Sequence, residues 1–410
     1  MSGVPVLAKR SSLLFLLTFD SIRMAKIIII GSAHPLRGGL SAFNERLARS
    51  FQENGDEVEI YTFSLQYPNF LFPGKTQYSS EPAPTDLNIK VKINSINPFN
   101  WWKVGNALRK MRPDIVVIKF WLPFMGPCFG TILRRIRRNK HTRIISIIDN
   151  IIPHEKRIGD RPFAKYFAKA VDAFIVMSKS VGEDMKQFVN PELKQVRFIE
   201  HPIYDYGQHI PKPEARQALT LDPNGKYLLF FGFIREYKGL DLLIEAMADE
   251  RIRAAGIKAI IAGEFYTDEQ PYQELIDKLG LREQLVLHTD FIPDSEVNKF
   301  FGAADMVVQP YKTATQSGIS QMAYYFESPM LVTNVGGLPE IVPHGKAGYV
   351  TAPNSKEIAD AILDFYENNR EQGFRDFVKL EKKRFAWQNM VNGVKELSVL
   401  QDNSEKYNRG

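Results

Sequence analysis

Short apolar runs alternate with stretches of helical period along most of this chain, a pattern that predicts parallel α/β architecture. In the first half the strand-like runs fall at Lys26–Gly31, Val58–Phe63, Ile89–Ile93, Asp114–Lys119, Arg143–Asp149, Ala173–Met177 and Val196–Glu200. In the second half they fall at Lys226–Phe231, Ile257–Ala262, Leu285–His288, Asp305–Gln309 and Met330–Thr333. The helix after the first strand is well marked, because Leu40, Phe43, Leu47 and Phe51 recur at helical spacing and Gly55 stops the pattern. From about Lys356 onward the chain reads as helical. Tyr204–Gly225 is rich in proline, glycine and polar residues and is expected to be the linker between the two halves. The expected fold is two doubly wound domains whose strand carboxyl ends, and hence loops, surround one cleft that takes the ligand.

Composition narrows the class. A chain of 410 residues predicts two domains, and 44% hydrophobic with 24% charged residues is ordinary for a globular chain. The formal charge of +6 and the pI near 9.0 favour anionic partners such as phosphates or a membrane surface. The single cysteine, Cys128, excludes internal disulfides and multi-cysteine metal sites, which fits a cytoplasmic protein. No run approaches the roughly 18–20 apolar residues that a membrane span needs. Nucleic acid is not an expected partner, since no reading motif accompanies the basic residues. Near the start, Lys9 and Arg10 precede the short apolar run Leu13 to Phe19, but no cleavage site follows. Met24 is read as the natural start, with residues 1–23 a non-native or disordered extension; a peripheral anchor is the alternative.

Candidate chemistry gathers at strand ends. The polar loop Thr313 to Gly318 opens onto a helical run, Ile319 to Phe326, with Ser317 as its expected N-cap. Free N–H groups at such a start favour phosphate. In Lys226 to Gly239, a strand runs into a glycine turn that carries Arg235 and Lys238 before the next helix. Two cations at one strand end and an anion-friendly helix start at another predict a diphosphate clamp. Arg37-Gly38-Gly39 follows the first strand, where two glycines allow close approach of backbone to a phosphate or a sugar hydroxyl. His154 lies beyond the Arg143–Asp149 strand, placed to meet a sugar or an acceptor proton, with Asp149 as companion. Each has a plainer alternative: a solvated lysine, a tight turn, a histidine bonded to nearby backbone. His201 is expected to be structural.

The segments GFIREYKG (232–239), IAGEF (261–265), ADMVVQPY (304–311), QSG (316–318) and VGGLPE (335–340), preceded by IIIIGSAHPLRGGLSAFNERLA (27–48), carry a resemblance by their order and spacing. The chain resembles the retaining GT-B glycosyltransferases of family four. The resemblance implies an acceptor-binding Rossmann-like domain at 24–203 and a nucleotide-sugar-binding one at 204–385, facing across a cleft. It also implies a terminal helix, 386–410, returning to the first domain, with Trp387 as its anchor. The implied activity is transfer of a hexose from a UDP- or GDP-linked donor to a glycan or lipid-linked acceptor in surface polysaccharide or glycolipid synthesis. It is expected to proceed by front-face attack, without a cofactor. The chain has no Asp-x-Asp, so no metal site is expected, and lysine, arginine and helix dipole take the cation's place.

Catalytic roles then fall on Lys238, Arg235 and His154, with Lys238 offsetting charge on the leaving diphosphate. Donor contacts fall on Gly38, Gly39, Gly232, Glu264, Gln316, Ser317, Gly318 and Met322. Arg37 and Asp149 fall on the acceptor side. Two departures from the family pattern stand out. Phe233 occupies the position where the family usually carries arginine, and Ala314 and Met322 replace a pair of glutamates. Two alternatives therefore stay open: a nucleotide-sugar epimerase of the same fold, and a non-catalytic scaffold subunit.

The stretch Thr131 to Lys140 predicts an amphipathic helix. At about 100° per residue, Phe129, Ile132, Leu133 and Ile136 share one arc, and Arg134, Arg135, Arg137 and Arg138 the other. It is either a sheet-covering helix with a solvated basic face or a docking face for anionic lipid on the inner side of a membrane, each cation contributing about 1 kcal/mol there. Trp101, Trp102 and the run Phe120 to Phe124 either extend such a surface or belong to the core.

Overall fold

Among the described residues thirteen strands account for the apolar runs, in two sheets that belong to separate compact units: Met1–Ile199 with Val391–Gly410, and Glu200–Met390. The computed structural model describes residues 24–68, 77–79, 82–152, 159–314 and 317–399. The 1–23 extension, His154 and Gln316 lie outside the described residues.

In the first unit the strands are β1 (Lys26–Ile30), β2 (Glu57–Leu65), β3 (Ile89–Asn94), β4 (Ile115–Phe120), β5 (Arg143–Ile148), β6 (Ala173–Val176) and β7 (Val196–Phe198). They form one sheet in the order β3-β2-β1-β4-β5-β6-β7, with every pairing parallel. All six residues of β4 are buried. Burial on both faces, with helices covering each, is why these strands read as unbroken apolar runs. Phe120 stacks on Phe167 with ring centroids 4.1 Å apart, and Phe129 packs between Phe63 and Phe167.

In the second unit the strands are β8 (Lys226–Phe231), β9 (Ile257–Ala262), β10 (Leu285–His288), β11 (Met306–Gln309), β12 (Met330–Thr333) and β13 (Gly348–Thr351). Their order is β10-β9-β8-β11-β12-β13, again wholly parallel. Both sheets are doubly wound, and the strand order reverses between β1 and β4 in one and between β8 and β11 in the other. Loops at the carboxyl ends beside such a reversal form the natural ligand crevice of the fold.

Three expectations need revision. Strand β13 was not predicted, because Gly-Tyr-Val-Thr is short and weakly apolar. Its first residue has φ 148°, and a Cβ there would lie 1.7 Å from the Met330 carbonyl oxygen, so only glycine brings this strand alongside β12. The expected linker Tyr204–Gly225 is instead part of the second unit and contains the helix Lys212–Ala218. Arg216 of that helix is buried and donates to Asp305 at 2.8 Å. Trp387 is held within the second unit, donating from Nε1 to the Ile203 carbonyl at 2.8 Å. Further along the same helix, Glu396 pairs with Arg197 and Gly393 lies flush against Ile199, both within the first unit. Among the described residues no helix is long and apolar enough to cross a membrane.

Candidate functional site

The reversal between β8 and β11 brings two sequence-distant segments together. Strand β8 ends at Phe231, and the chain passes through Gly232 into the 3-10 turn Glu236–Lys238. Strand β11 ends at Gln309 and leads through Tyr311 to Ser317. Ser317 caps the helix Gly318–Tyr325 as expected, its Oγ accepting from the Ile319 N–H at 3.2 Å. A Cβ placed on Gly232 would stand 3.1 Å from both the Lys238 ammonium and the Ile319 side chain, so the lysine and the helix start meet over this glycine. At Gly318 a Cβ would meet no described atom within 4 Å, which leaves the first helical N–H groups approachable.

Lys238 is held from below. Its turn ends at Gly239, where φ is 68° and a Cβ would lie 1.9 Å from the Pro310 carbonyl oxygen. The Lys312 N–H donates to the Tyr237 carbonyl at 2.7 Å, and Lys312 Nζ donates to Asp241 at 2.6 Å, tying the β8 and β11 loops together. Gly239→Ala combines a left-handed backbone with a backbone clash. We expect it to cost at least about 2 kcal/mol and to weaken nucleotide binding; thermal melting read together with calorimetry would check both effects.

The electrostatics around Lys238 are one-sided. Its side chain is 8% exposed, and no carboxylate of the described residues pairs with it. Burial, and secondly the nearby charge of Arg235, push its pKa down to about 8. A cation in this condition gains strongly from an arriving anion. Tyr311 lines the same place: the Lys238 ammonium stands 5.9 Å from its ring centroid, and its hydroxyl lies 3.1 Å from Ser317 Oγ. The sequence passed over Tyr311, although its place directly after a strand end was a usable signal.

The other residues expected to meet a donor have the following surroundings. Arg235 is exposed, with its guanidinium 5.3 Å from the Tyr266 ring centroid. Phe233, at the position expected to hold arginine, packs its ring 4.3 Å from that of Tyr266, and both aromatics are exposed. Glu264 is half-buried, and its carbonyl accepts from the Ile234 N–H at 2.8 Å, joining the β8 and β9 loops. Ala314 and Met322 pack against the apolar cluster of the second unit and supply no carboxylate. Glu327, just beyond the helix Gly318–Tyr325, is paired with Lys382 at 3.5 Å.

In the first unit Gly38 caps the helix Gly39–Glu53, and a Cβ on Gly38 or Gly39 would meet no described atom within 4 Å. Arg37 is exposed, and its N–H donates to the Gln77 carbonyl at 3.1 Å. Asp149, just beyond β5, accepts from Lys119 at 2.8 Å. Lys119 sits inside β4, only 3% exposed, with its ammonium 3.4 Å from the Phe43 ring centroid; burial lowers its pKa and Asp149 opposes that shift. This pair was missed, and a lysine inside an otherwise apolar strand was the clue. His201 bonds through Nδ1 to the adjacent Pro202 carbonyl, a local structural contact.

The basic helix, Gly126–Arg137, differs from the expected solvated face. Arg134 donates to the carbonyls of Gly130 and Tyr166 and lies 3.6 Å from the Tyr166 ring centroid. Arg135 donates twice to Asn106 Oδ1, and Arg137 pairs with Asp172 at 3.4 Å. Only Arg138 lacks a side-chain partner among the described residues. These cations hold neighbouring helices together, because a long arginine beside a carbonyl-rich helix end finds acceptors there.

Comparison with known proteins agrees with this architecture. The model of the glycosyl transferases group 1 matches residues 211–383, and that of glycosyltransferase family 4 matches residues 37–204. An uncharacterised glycosyltransferase of Methanocaldococcus jannaschii is 25% identical over 397 residues, covering 89% of this chain and 96% of that protein. A D-inositol 3-phosphate glycosyltransferase of Pseudarthrobacter chlorophenolicus is 22% identical over 354 residues, covering 81% and 82%. Among solved structures, Anabaena HepE in complex with UDP aligns with TM-score 0.64 at 18% identity, covering 92% of this chain and 100% of that one. The lipopolysaccharide outer core galactosyltransferase WaaB aligns with TM-score 0.63 at 15% identity, covering 90% and 99%. With both halves of the chain matched in order, and both sheets wound as described, the chain belongs to the GT-B glycosyltransferases of the family-four type.

Proposed function

We propose that this glycosyltransferase moves a hexose from a UDP- or GDP-linked donor to a hydroxyl of a glycan or lipid-linked acceptor, with retention at the anomeric carbon. The observation that carries the donor assignment is the convergence of the buried Lys238 ammonium, unpaired among the described residues, with the Ser317-capped helix start at the β8–β11 reversal. Both features offer positive potential to a diphosphate. Support for the nucleotide class comes from the fold neighbour HepE, which has been solved with UDP and with UDP-glucose. In the proposed reaction the bond from the anomeric carbon to the phosphate oxygen breaks while the acceptor oxygen bonds on the same face. The acceptor's proton passes to the leaving phosphate, and Lys238 carries the compensating charge. Ala314 and Met322, standing where the family often has glutamates, favour a non-catalytic scaffold as the second reading.

A calorimetric panel of UDP, GDP, ADP and CMP with their sugar conjugates tests the donor site. One diphosphate is expected to bind with clear preference, and no binding by the folded protein would overturn the proposal. The pH dependence has a defined sign. Below pH 8 the Lys238 ammonium is present, and as pH rises through about 8 the free protein loses that proton, which binding must then recover. Affinity should fall by about tenfold between pH 7 and 9, and Lys238→Met should flatten the profile. Stability has the opposite slope: a lysine held below its ordinary value costs folding energy at low pH and is relieved as pH rises from about 8. Product analysis with and without acceptor separates sugar transfer from a scaffold role.

A further inference from the structure

The molecule's positive charge is concentrated in one stretch. Residues 87–148 contain thirteen lysines and arginines against one acidic residue, Asp114. That excess is larger than the formal +6 of the whole chain, so the rest of the chain is net acidic. The helix Pro98–Met111 lies within this stretch and contains no acidic residue. Its buried side is Val104, Gly105 and Leu108. The opposite side begins with two aromatics one turn apart, Phe99 at 88% and Trp102 at 55% exposure, followed by exposed Lys103 and Lys110. Trp101 turns the other way and donates from Nε1 to the Asn94 carbonyl at 2.7 Å.

Local geometry fixes these aromatics in an outward position. Asn97 caps the helix by accepting from the Phe99 and Asn100 N–H groups, and Pro98 stands in the first turn. Asn100 donates to the Lys92 carbonyl at 2.9 Å and accepts from the Asn94 N–H, which locks the helix start to the end of β3. Strand β3 is an edge of its sheet, and there Val91 and Lys92 are exposed, as is Ile96 in the connecting turn. The Arg135 guanidinium lies 4.8 Å from the Trp102 ring centroid. Among the described residues neither Lys103 nor Lys110 has an ion-pair partner. The result is an exposed aromatic tip beside cations that no carboxylate of the described residues pairs.

We propose that this face of the first unit, Val91, Ile96, Phe99, Trp102, Lys103 and Lys110, docks peripherally on an anionic lipid surface. Aromatic and aliphatic tips suit the headgroup boundary, and the surrounding cations suit anionic headgroups. A second copy of the chain is the poorer occupant, because a two-fold contact would set the same uncompensated lysines against each other. The proposal shifts membrane attachment from the arginines of the helix Gly126–Arg137, which are engaged internally, to the neighbouring helix start. It does not depend on the donor assignment.

Cosedimentation of the full chain, without nucleotide, with vesicles of equal parts phosphatidylglycerol and phosphatidylcholine tests it against pure phosphatidylcholine vesicles. The protein is expected to bind the anionic vesicles only, and less as salt is raised. Phe99→Ser with Trp102→Ser, and separately Lys103→Glu with Lys110→Glu, should each lower partitioning by about tenfold or more. Thermal melting, unchanged by either pair, reports that the variants are folded. Equal binding to neutral vesicles, no binding, or binding indifferent to both double variants would each overturn the proposal. So would a concentration-dependent dimer that the Phe99→Ser and Trp102→Ser pair abolishes, since the face would then belong to a second copy.

Discussion

Replacing Lys238 by alanine is expected to lower kcat by about two to three orders of magnitude while the protein keeps its fold. The side chain is buried and unpaired among the described residues, and its ordinary proton affinity is already reduced by burial and by Arg235. Such an ammonium gains most when negative charge builds up on a departing diphosphate, and that gain is largest in the transition state. The expected signature is therefore a large loss in kcat with a smaller rise in the donor's Kd. Tyr311→Phe offers a contrast, since its hydroxyl lies against Ser317 and its loss should loosen only the helix cap. Near-normal turnover by a folded Lys238→Ala enzyme would remove this residue from leaving-group stabilisation.

Asp305→Ala is expected to be the most destabilising single change in the second unit. The carboxylate accepts from Lys212 Nζ at 2.5 Å, Arg216 Nη2 at 2.8 Å, the Tyr227 N–H at 2.8 Å and the Tyr366 hydroxyl at 3.0 Å. Arg216 is 5% exposed, and burial together with Asp305 raises the Tyr366 phenol well above its ordinary value, which keeps it a donor. Removing the shared acceptor leaves a buried guanidinium uncompensated, a loss of about 3–5 kcal/mol. For a unit of this size that corresponds to a fall in melting temperature of roughly 10 °C. Asp305→Asn, which keeps an acceptor without the charge, should fall between. An unchanged melting curve in the alanine variant would mean that the donors find other acceptors, and the network would lose its structural role.

How far the site could be read from the chain depended on the distance between the residues that build it. The Ser317 cap and the turn carrying Lys238 involve neighbours in sequence, and both stand where they were expected. The partners of Asp149 and Arg216 lie 30 and 89 residues away, and no local pattern points to them. Arg134 shows the same limit: helical periodicity placed it on a polar face, but its acceptor at Tyr166 belongs to another helix. Gly348 passed unnoticed as a strand start because its reason is a close approach to Met330, visible only when both strands are in place.

By itself the sequence determined the alternation of strands and helices, the doubly wound class and the loops that carry Lys238 and Ser317. Each of these follows from burial periodicity, caps and glycine turns, which act over a few residues. Tertiary structure alone decided which cations are spent internally and which remain at the surface. It set Arg134, Arg135 and Arg137 against acceptors on neighbouring segments and left Phe99, Trp102 and Lys103 exposed, without such partners among the described residues. The physical reason is that a charged or aromatic side chain's role depends on the dielectric and the partners around it, and those are supplied by chain segments that only folding brings within reach.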